Sequence, residues 1–191
     1  MAEQQQAQPR TPSPQPARRP APAAGHSEGA GGLPPKLDAR GQALLSLVTQ
    51  ALSPLKAEVS ASLDEVTASV ERDRLVDACR LLRDDSRLDF DLLRCLTVVD
   101  YNDHFQVVYH LFSLSKRHKL VLKTRTAGAG KPTVPSVVSV WRTADWYERE
   151  GRDLFGVMFD GHPKMEPLLL WEGFEGFPGR KSFPFHEYKE Y

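Results

Sequence analysis

The stretch spanning residues 141–184 constrains the fold more than any other part of the chain. All three tryptophans lie in it, and charged residues are interleaved with the aromatic ones throughout. The pattern predicts a helix over residues 143–155, because Thr143 can cap its start and Gly156 can adopt the left-handed conformation that ends many helices. Asp145 suits the positive N-terminal end of the helix dipole.

Charged residues recur on this helix at helical spacing. Asp145, Arg149 and Asp153 lie four residues apart along the chain. Glu148 and Arg152 have the same spacing, so the sequence predicts ion pairs along a solvated face. A second face, suited to packing, carries Ala144, Tyr147, Gly151, Leu154 and Phe155.

Residues after the predicted helix show neither helical nor strand periodicity and predict an extended, proline-punctuated arm. The arm is too aromatic for a free tail, and Arg180 and Lys181 lie among its aromatic residues, a pattern typical of interface anchors. Substitution of Arg180 and Lys181 is therefore expected to weaken docking on a partner and to leave domain stability unchanged. The alternative is an arm that folds back on its own domain. The aromatic residues are Trp171, Phe174, Phe177, Phe183, Phe185, Tyr188 and Tyr191.

The same stretch resembles the signature of one protein family. The segments ERE at 148–150, DLFG at 153–156 and FDGHP at 159–163 are similar to the signature of the C subunit of respiratory NADH–quinone oxidoreductase, the counterpart of the 30-kDa subunit of mitochondrial complex I. The run EGFPGRKSFP at 175–184 resembles the closing motif of that family. The signature and interface positions that this resemblance implies are Glu148, Arg149, Glu150, Asp153, Phe155, Gly156, Gly161, His162, Pro163, Arg180, Lys181 and Pro184.

Several positions depart from the residues usual in that family. Gly151-Arg152 stand in place of an aliphatic residue followed by an aromatic one, Glu166-Pro167 in place of basic residues, and Phe177 in place of a histidine; Gly179 and Ser182 are also atypical. These departures bear on local contacts around the predicted arm.

The resemblance implies an accessory subunit in the peripheral arm of a proton-translocating NADH–quinone oxidoreductase. In that complex, electrons pass from NADH through FMN and iron–sulfur clusters of partner subunits to quinone, and this chain would brace the quinone module. The expected partners are subunits D and B, with no nucleic acid. The expected location is the cytoplasmic face of a bacterial inner membrane, with peripheral attachment through the complex. No independent catalytic activity is expected of this chain.

Two alternatives remain open. The first is a homologous subunit of a membrane-bound hydrogenase-type complex. The second, less favoured, is a stand-alone metal-dependent enzyme that uses His162 with the carboxylates of Glu148 and Asp153. Helical geometry disfavours it, because Glu148 and Glu150 point in different directions. The histidines without ligand spacing are His104, His110, His118 and His186.

Composition excludes several kinds of function. The 25 Lys and Arg residues balance the 25 Asp and Glu residues, which gives no general attraction to nucleic acid or to an anionic membrane. No run of about eighteen apolar residues is present, so no segment is predicted to span a bilayer. Cys79 and Cys95 are the only cysteines, and two thiols cannot supply the four ligands of an ordinary iron–sulfur cluster or structural zinc site. The chain is therefore predicted to hold no cofactor or metal, and two buried thiols are favoured over a disulfide.

The remaining sequence predicts the domain organisation. Residues 1–35 are rich in glutamine, proline and alanine and are predicted to be disordered, because they cannot bury enough apolar surface to offset the entropy of ordering. Residues 36–140 are predicted to form an α+β domain, and residues 141–191 the signature helix with a partner-binding arm.

Periodicity within the α+β domain predicts its elements. Helices are expected at 44–55 and 73–82, and strands at 66–70, 95–101, 104–113 and 119–126, with room for a shorter strand before the first. Residues 126–135 are predicted to be an exposed loop. Three consecutive strands with short connections form an antiparallel meander. The predicted fold class is α+β: an antiparallel sheet of three to four strands packed with two to three helices, plus an extended C-terminal arm.

Overall fold

The computed structural model describes residues 37–126 and 131–184. The predicted disordered tail, residues 1–35, lies outside the described residues, as do residues 185–191 of the predicted arm. The helices are α1 Ala39–Leu52, α2 Leu75–Asp84 and α3 Ala144–Phe155. The strands are β1 Glu58–Ser62, β2 Glu65–Val70, β3 Leu92–Asp100, β4 Phe105–Ser113, β5 His118–Arg125, β6 Thr133–Pro135 and β7 Met158–Asp160.

Five strands form one mixed sheet in the order β1-β2-β5-β4-β3. Strands β3, β4 and β5 form the predicted antiparallel meander, and β1 pairs antiparallel with β2. Strand β2 runs parallel to β5. The α+β class is confirmed, but the sheet has five strands rather than three or four and is not purely antiparallel. The connection through α2 places β3 parallel to β2, with room for two strands between them. The meander then places β4 and β5 in that space, so that β5 lies beside β2.

A single hydrophobic core lies between the sheet and the helices. Strand β4 alternates strictly on its inner face, where the side chains of Phe105, Val107, Tyr109 and Leu111 are at most 2% exposed. The residues of α1 that are buried in this core are Leu44, Val48 and Leu52, and those of α2 are Leu75, Ala78, Cys79 and Leu82. Their spacing of three or four residues is the helical stripe that the sequence predicted.

Helix α1 begins earlier than predicted. Asp38 caps it, because its Oδ1 atom accepts a hydrogen bond from the backbone N–H of Gly41 at 2.7 Å. The α-helix ends at Leu52, and a 3-10 turn, Ser53–Leu55, follows at Pro54. Proline removes a backbone donor, so the predicted stop at this position is confirmed.

Helix α3 matches its predicted span, and its end is confirmed. Gly156 has φ of 70° and donates its N–H to the carbonyl oxygen of Arg152 at 2.8 Å. The predicted capping role of Thr143 is wrong. Its hydroxyl instead donates to the carbonyl oxygen of Leu93 on β3 at 3.3 Å, so Thr143 ties the helix to the edge of the sheet.

A second, two-stranded sheet was not predicted. Strand β6, which precedes α3 in the sequence, pairs parallel with β7, which follows α3. The interpretation of residues 126–135 as a loop therefore missed β6, because three residues are too few to show an alternating pattern.

Cys79 and Cys95 are both free, as predicted, but only Cys79 is buried in the core, and Cys95 is half-buried. Burial raises the pKa of the Cys79 thiol well above its ordinary value, and the nearby Glu148 carboxyl raises it further. Among the described residues, no helix has the length and apolar character that crossing a membrane requires.

Candidate functional site around helix α3

Helix α3 lies close against the sheet because of Gly151. A methyl group at this position would lie 3.1 Å from Cγ2 of Val98 on β3 and 3.3 Å from the ring of Phe159 on β7. Glycine in a helix costs about 1 kcal/mol relative to alanine, but here it permits the close approach of helix and sheet.

Glu148 is fully buried and anchors the segment that precedes α3. Its Oε2 atom accepts a hydrogen bond from the hydroxyl of Ser136 at 2.7 Å, and its Oε1 atom accepts from the backbone N–H of Val137 at 2.8 Å. Burial raises the pKa of Glu148 to about 7, while these two donors oppose that rise and the charge of Asp145 adds to it. Within residues 37–126 and 131–184, no cation pairs with this carboxyl.

The predicted ion pair between Glu148 and Arg152 is therefore wrong. Glu148 lies on the packed face of α3, so its carboxyl cannot reach the solvated side. Arg152 instead contacts the neighbouring carboxylate of Asp153, with Nη1 3.1 Å from Oδ1.

Asp153 anchors the arm on another side of α3. Its Oδ2 atom accepts hydrogen bonds from three consecutive backbone N–H groups, those of Leu168, Leu169 and Leu170, at 2.7, 2.8 and 3.3 Å. Burial raises the pKa of Asp153, but the three N–H donors and Arg152 outweigh it and hold the pKa below its ordinary value. Successive N–H groups around one anion form a nest, and here the anion is a side chain of the same chain.

The side chain of Arg149 binds backbone carbonyl groups of the arm. Its Nε donates to the carbonyl oxygen of Glu166 at 3.1 Å, and its Nη2 donates to that of Pro167 at 2.9 Å. The guanidinium also lies over the ring of Trp146, 5.9 Å from the centroid. The predicted ion pairs of Arg149 with carboxylates four residues away are wrong, because carbonyl groups of the arm take its donors.

His162 fixes the turn at the start of the arm. Its Nδ1 accepts a hydrogen bond from the backbone N–H of Lys164 at 3.0 Å, so the ring proton resides on Nε2. Nε2 lies 3.3 Å from the carbonyl oxygen of Asp145 and 3.3 Å from its Oδ1. Both ring nitrogens are engaged by the chain itself, since Nδ1 uses its lone pair as an acceptor and Nε2 carries the proton, so neither is free to bind a metal ion.

The closing motif caps the C-terminal end of α3. The backbone N–H of Gly179 donates to the carbonyl oxygen of Leu154 at 2.8 Å, and Nε of Arg180 donates to that of Phe155 at 2.7 Å. These carbonyls belong to the last turn, which has no partners within its own helix. A methyl group at Gly156 would lie 2.7 Å from Arg180, so the glycine is needed for space as well as for its positive φ.

Arg180 is packed between two rings rather than free to reach a partner. Its guanidinium lies 5.1 Å from the ring centroid of Phe105 and 4.4 Å from that of Phe177. The backbone N–H of Lys181 donates to Oδ2 of Asp100 at 2.9 Å. The described part of the arm thus folds back on its own domain, and these contacts lead us to expect that Arg180 contributes to domain stability.

The other signature residues have lesser contacts. Phe155 meets Phe105 edge to face at 6.3 Å, and Gly161 has φ of 83°. Glu150 is half-buried, and Pro163 and Pro184 are exposed. Five side chains form hydrogen bonds with backbone atoms of α3 or of the segments beside it. We call this set the clamp, and it consists of Glu148, Arg149, Asp153, His162 and Arg180.

This arrangement does not support the metal-enzyme alternative. In the part of the chain that the structure describes, no group of three or more histidine, cysteine, aspartate or glutamate residues converges on a metal site. Glu148, Asp153 and His162 each bind a different backbone segment. His186 lies outside the described residues.

Large apolar side chains beside the clamp face solvent. Trp171 is 70% exposed, Trp146 64% and Leu169 56%. Trp171 and the exposed Met158 line a groove of about 230 Å³ against the clamp residue Asp153. Sequence reasoning named Trp171 but missed the other three, although Trp146 carries a signal, since a tryptophan on the solvated side of an amphipathic helix is unusual.

The fold and the clamp define an α+β domain in which motif residues hold segments of the same chain in place. An exposed aromatic surface lies beside these residues. The sequence model of the family described as "Respiratory-chain NADH dehydrogenase, 30 Kd subunit" matches residues 68–189. The chain belongs to this family, the 30-kDa (or C) subunit family of complex I, and the resemblance seen in its sequence is confirmed.

Curated relatives are named as members of the same family. A C subunit of the NADH-quinone oxidoreductase of Rhizobium meliloti, the one designated C 2, is 42% identical over 125 residues, covering 64% of this chain and 68% of that protein. The C subunit of the NADH-quinone oxidoreductase of Coxiella burnetii is 35% identical over 177 residues, covering 75% and 78%. A chain in the solved structure of the membrane-bound sulfane sulfur reductase, an archaeal respiratory membrane complex, is similar with a TM-score of 0.63 and 29% identity, covering 73% of this chain and 84% of that chain.

Proposed function

We propose that this chain is an accessory subunit of the peripheral arm of a proton-translocating NADH–quinone oxidoreductase. It braces the quinone module while the complex passes electrons from NADH through FMN and iron–sulfur clusters to quinone. Its partners in this proposal are subunits D and B, and its location is the cytoplasmic face of a bacterial inner membrane. The names of the relatives support the complex, and the closeness of clamp and exposed aromatics supports the bracing role.

One observation carries the bracing role. The side chains of the clamp are directed at backbone atoms of the same chain, whereas Trp171 and Leu169 face solvent. An enzyme active site needs polar groups free to reach a substrate, and the polar groups of the clamp are engaged in internal bonds. Exposed aromatic residues with arginine nearby are instead typical of protein interfaces.

The chain contributes no cofactor ligands in this proposal. Cys79 is buried in the core, and burial favours its neutral thiol, whereas metals and clusters bind the thiolate. Cys95 on β3 is half-buried, and burial raises its pKa as well. The flavin and the iron–sulfur clusters would therefore belong to partner subunits.

Substitution of Trp171 tests the docking surface. Trp171→Ala should leave the melting temperature of the isolated chain nearly unchanged, because the side chain is 70% exposed. It should lower the amount of assembled complex on native gels, since a tryptophan that serves as an interface hot spot contributes about 2 kcal/mol or more. The matched control is Leu114→Ala, which removes a side chain that is 60% exposed in the β4–β5 turn. Equal assembly of both variants and the parent chain would contradict docking through this surface.

A second candidate is the corresponding subunit of a related membrane-bound respiratory complex. The observation that favours it is the likeness to a chain of the sulfane sulfur reductase structure at 29% identity. The higher identity of 42% to a relative named as a subunit of NADH-quinone oxidoreductase favours the first proposal. Affinity purification of the native complex separates the two, because flavin-containing NADH-oxidising subunits co-purify only in the first case.

A further inference from the structure

His162 lies at the start of the arm with its ring enclosed by the protein. The side chain is fully buried, although the neighbouring residues Gly161 and Pro163 are exposed. Nδ1 accepts the hydrogen bond from the backbone N–H of Lys164 at 3.0 Å, and Nε2 carries the proton. Only the neutral ring can make this contact, because the imidazolium ion carries a proton on both nitrogens and accepts no hydrogen bond.

Asp145, in the first turn of α3, offers the ring a second arrangement. Its Oδ1 atom is buried and has no hydrogen bond of good geometry among the described residues. Nε2 of His162 lies 3.3 Å from this oxygen and equally far from the backbone carbonyl oxygen of the same residue. A charged ring would be attracted to the carboxylate, and Oδ1 would gain a charge-assisted partner. The ring thus has one arrangement that suits its neutral form and another that suits its charged form.

The other charged side chains on the elements around the ring do not compete with Asp145. Two on α3 bind other groups of the chain, two in the arm pair with each other at 3.1 Å, and two more are exposed. They are Glu148 and Arg149 on α3, Lys164 and Glu166 in the arm, Arg142 before α3 and Asp160 on β7. Asp145 is therefore the carboxylate positioned to pair with a charged ring.

We propose that His162 is a pH-sensitive latch for the start of the arm. The neutral ring holds the N–H of Lys164 and so fixes the turn at residues 162–164. On protonation Nδ1 gives up that N–H, Nε2–H forms an ion pair with Asp145, and the turn is released. Met165, which packs half-buried against the core, is released with it. The latch is a property of this chain alone and does not depend on the proposed function.

Nuclear magnetic resonance of the purified full chain tests the latch over the range from about pH 5 to pH 8, where histidine side chains ordinarily titrate. Long-range ¹H–¹⁵N spectra of the imidazole rings show which nitrogens carry a proton. As the pH falls, Nδ1 of His162 should gain a proton, and the amide signal of Lys164 should shift with the same midpoint. Exchange of this amide with water, corrected for the intrinsic effect of pH, should become about tenfold faster. A Lys164 amide that does not follow Nδ1, or an Nδ1 that stays unprotonated throughout, would overturn the latch.

Two variants identify the groups that operate the latch. His162→Asn keeps an oxygen that can accept from the N–H of Lys164 but cannot take a charge, so exchange of this amide should stay slow at every pH. Asp145→Asn removes the ion-pair partner and keeps an acceptor for Nε2–H, so release should require a lower pH. His110→Asn, the same change on strand β4, is the matched control and should behave like the parent chain. A pH response that persists in His162→Asn, or an unchanged midpoint in Asp145→Asn, would refute the mechanism.

Glu148 titrates in the same range and needs a control of its own. Its pKa is about 7, and the charge of Asp145 contributes to that value. Glu148 holds the amide of Val137, whereas His162 holds that of Lys164, so the two amides report on the two groups separately. In Glu148→Gln the pH response at Val137 should disappear and the response at Lys164 should persist. Loss of the Lys164 response in this variant would assign the transition to Glu148 and overturn the latch.

Discussion

The buried carboxyl of Glu148 makes a prediction about stability and pH. Glu148→Gln keeps the shape of the side chain and an oxygen that accepts from the N–H of Val137, and its amide can donate to the hydroxyl of Ser136. It removes the ionisable group. Because Glu148 is fully buried without a cation among its described neighbours, the folded protein favours its protonated form.

The sign and the size of the pH dependence of stability follow from the linkage between proton binding and folding. The pKa of Glu148 is about 7 in the folded chain, above its ordinary value of 4.5, so the folded state binds this proton more tightly than the unfolded state. The resulting stabilisation is fully present below pH 4.5 and is lost as the pH rises through 7. Each pKa unit corresponds to about 1.4 kcal/mol, which gives a total loss of about 3 kcal/mol.

Urea unfolding of the parent chain and of Glu148→Gln at pH 4.5 and at pH 8 measures this effect. The free energy of unfolding of the variant, relative to the parent chain, should rise by about 3 kcal/mol between the two pH values. Carboxyls such as Asp153 have a lowered pKa and make both proteins less stable in acid, so they cancel in the comparison. Glu150→Gln, the same change on a half-buried residue of the same helix, is the matched control. A pH-independent difference between parent and Glu148→Gln would refute the assignment of a raised pKa to this carboxyl.

Three further predictions concern the clamp. Asp153→Asn should cost about 1–3 kcal/mol by removing the charge that orders three N–H donors, and faster amide exchange at Leu168, Leu169 and Leu170 would report it. Arg149→Ala should release the same segment and reduce both the melting temperature and assembly; a variant with unchanged melting would show that its two carbonyl contacts contribute nothing. Arg180→Ala should lower the melting temperature by uncapping α3, with a cost of about 1–2 kcal/mol, whereas Lys181→Ala should not, because Lys181 contacts Asp100 through its backbone N–H.

Local signals predicted the parts of the fold that local interactions determine. Helix α3 and its end at Gly156 follow from a periodic stretch and a glycine, and the meander follows from three strands with short connections. The parallel pairing of β2 with β5 joins residues such as Val66 and Leu120 that are distant in sequence, and no local pattern specifies it. The predicted division between residues 36–140 and residues 141–191 stays a prediction.

The ion pairs of α3 were predicted wrongly for a definite physical reason. Helical spacing places Arg149 near Asp145 and Asp153, but an exposed pair of this kind contributes only about 0.2–0.5 kcal/mol. At Asp153, the part-buried backbone N–H groups of Leu168, Leu169 and Leu170 need a partner as they lose water, and an unsatisfied buried group costs about 1–3 kcal/mol. This cost exceeds the gain from an exposed ion pair, so Asp153 binds the arm, and Arg149 donates to carbonyl groups of the arm instead. Every residue carries the same backbone groups whatever its side chain, so the spacing of charged residues could not predict these hydrogen-bond partners.

A clamp that holds backbone atoms leaves the side chains of the held segment free for another role. Glu166 and Pro167 offer only their carbonyl oxygens to Arg149, so the unusual glutamate at position 166 does not disturb the contact. Leu169 likewise gives its N–H to Asp153 while its side chain is 56% exposed. The clamp can therefore hold the same arm conformation whatever side chains the segment carries outward. Partner specificity would then depend on those outward side chains, and the signature residues would fix their positions.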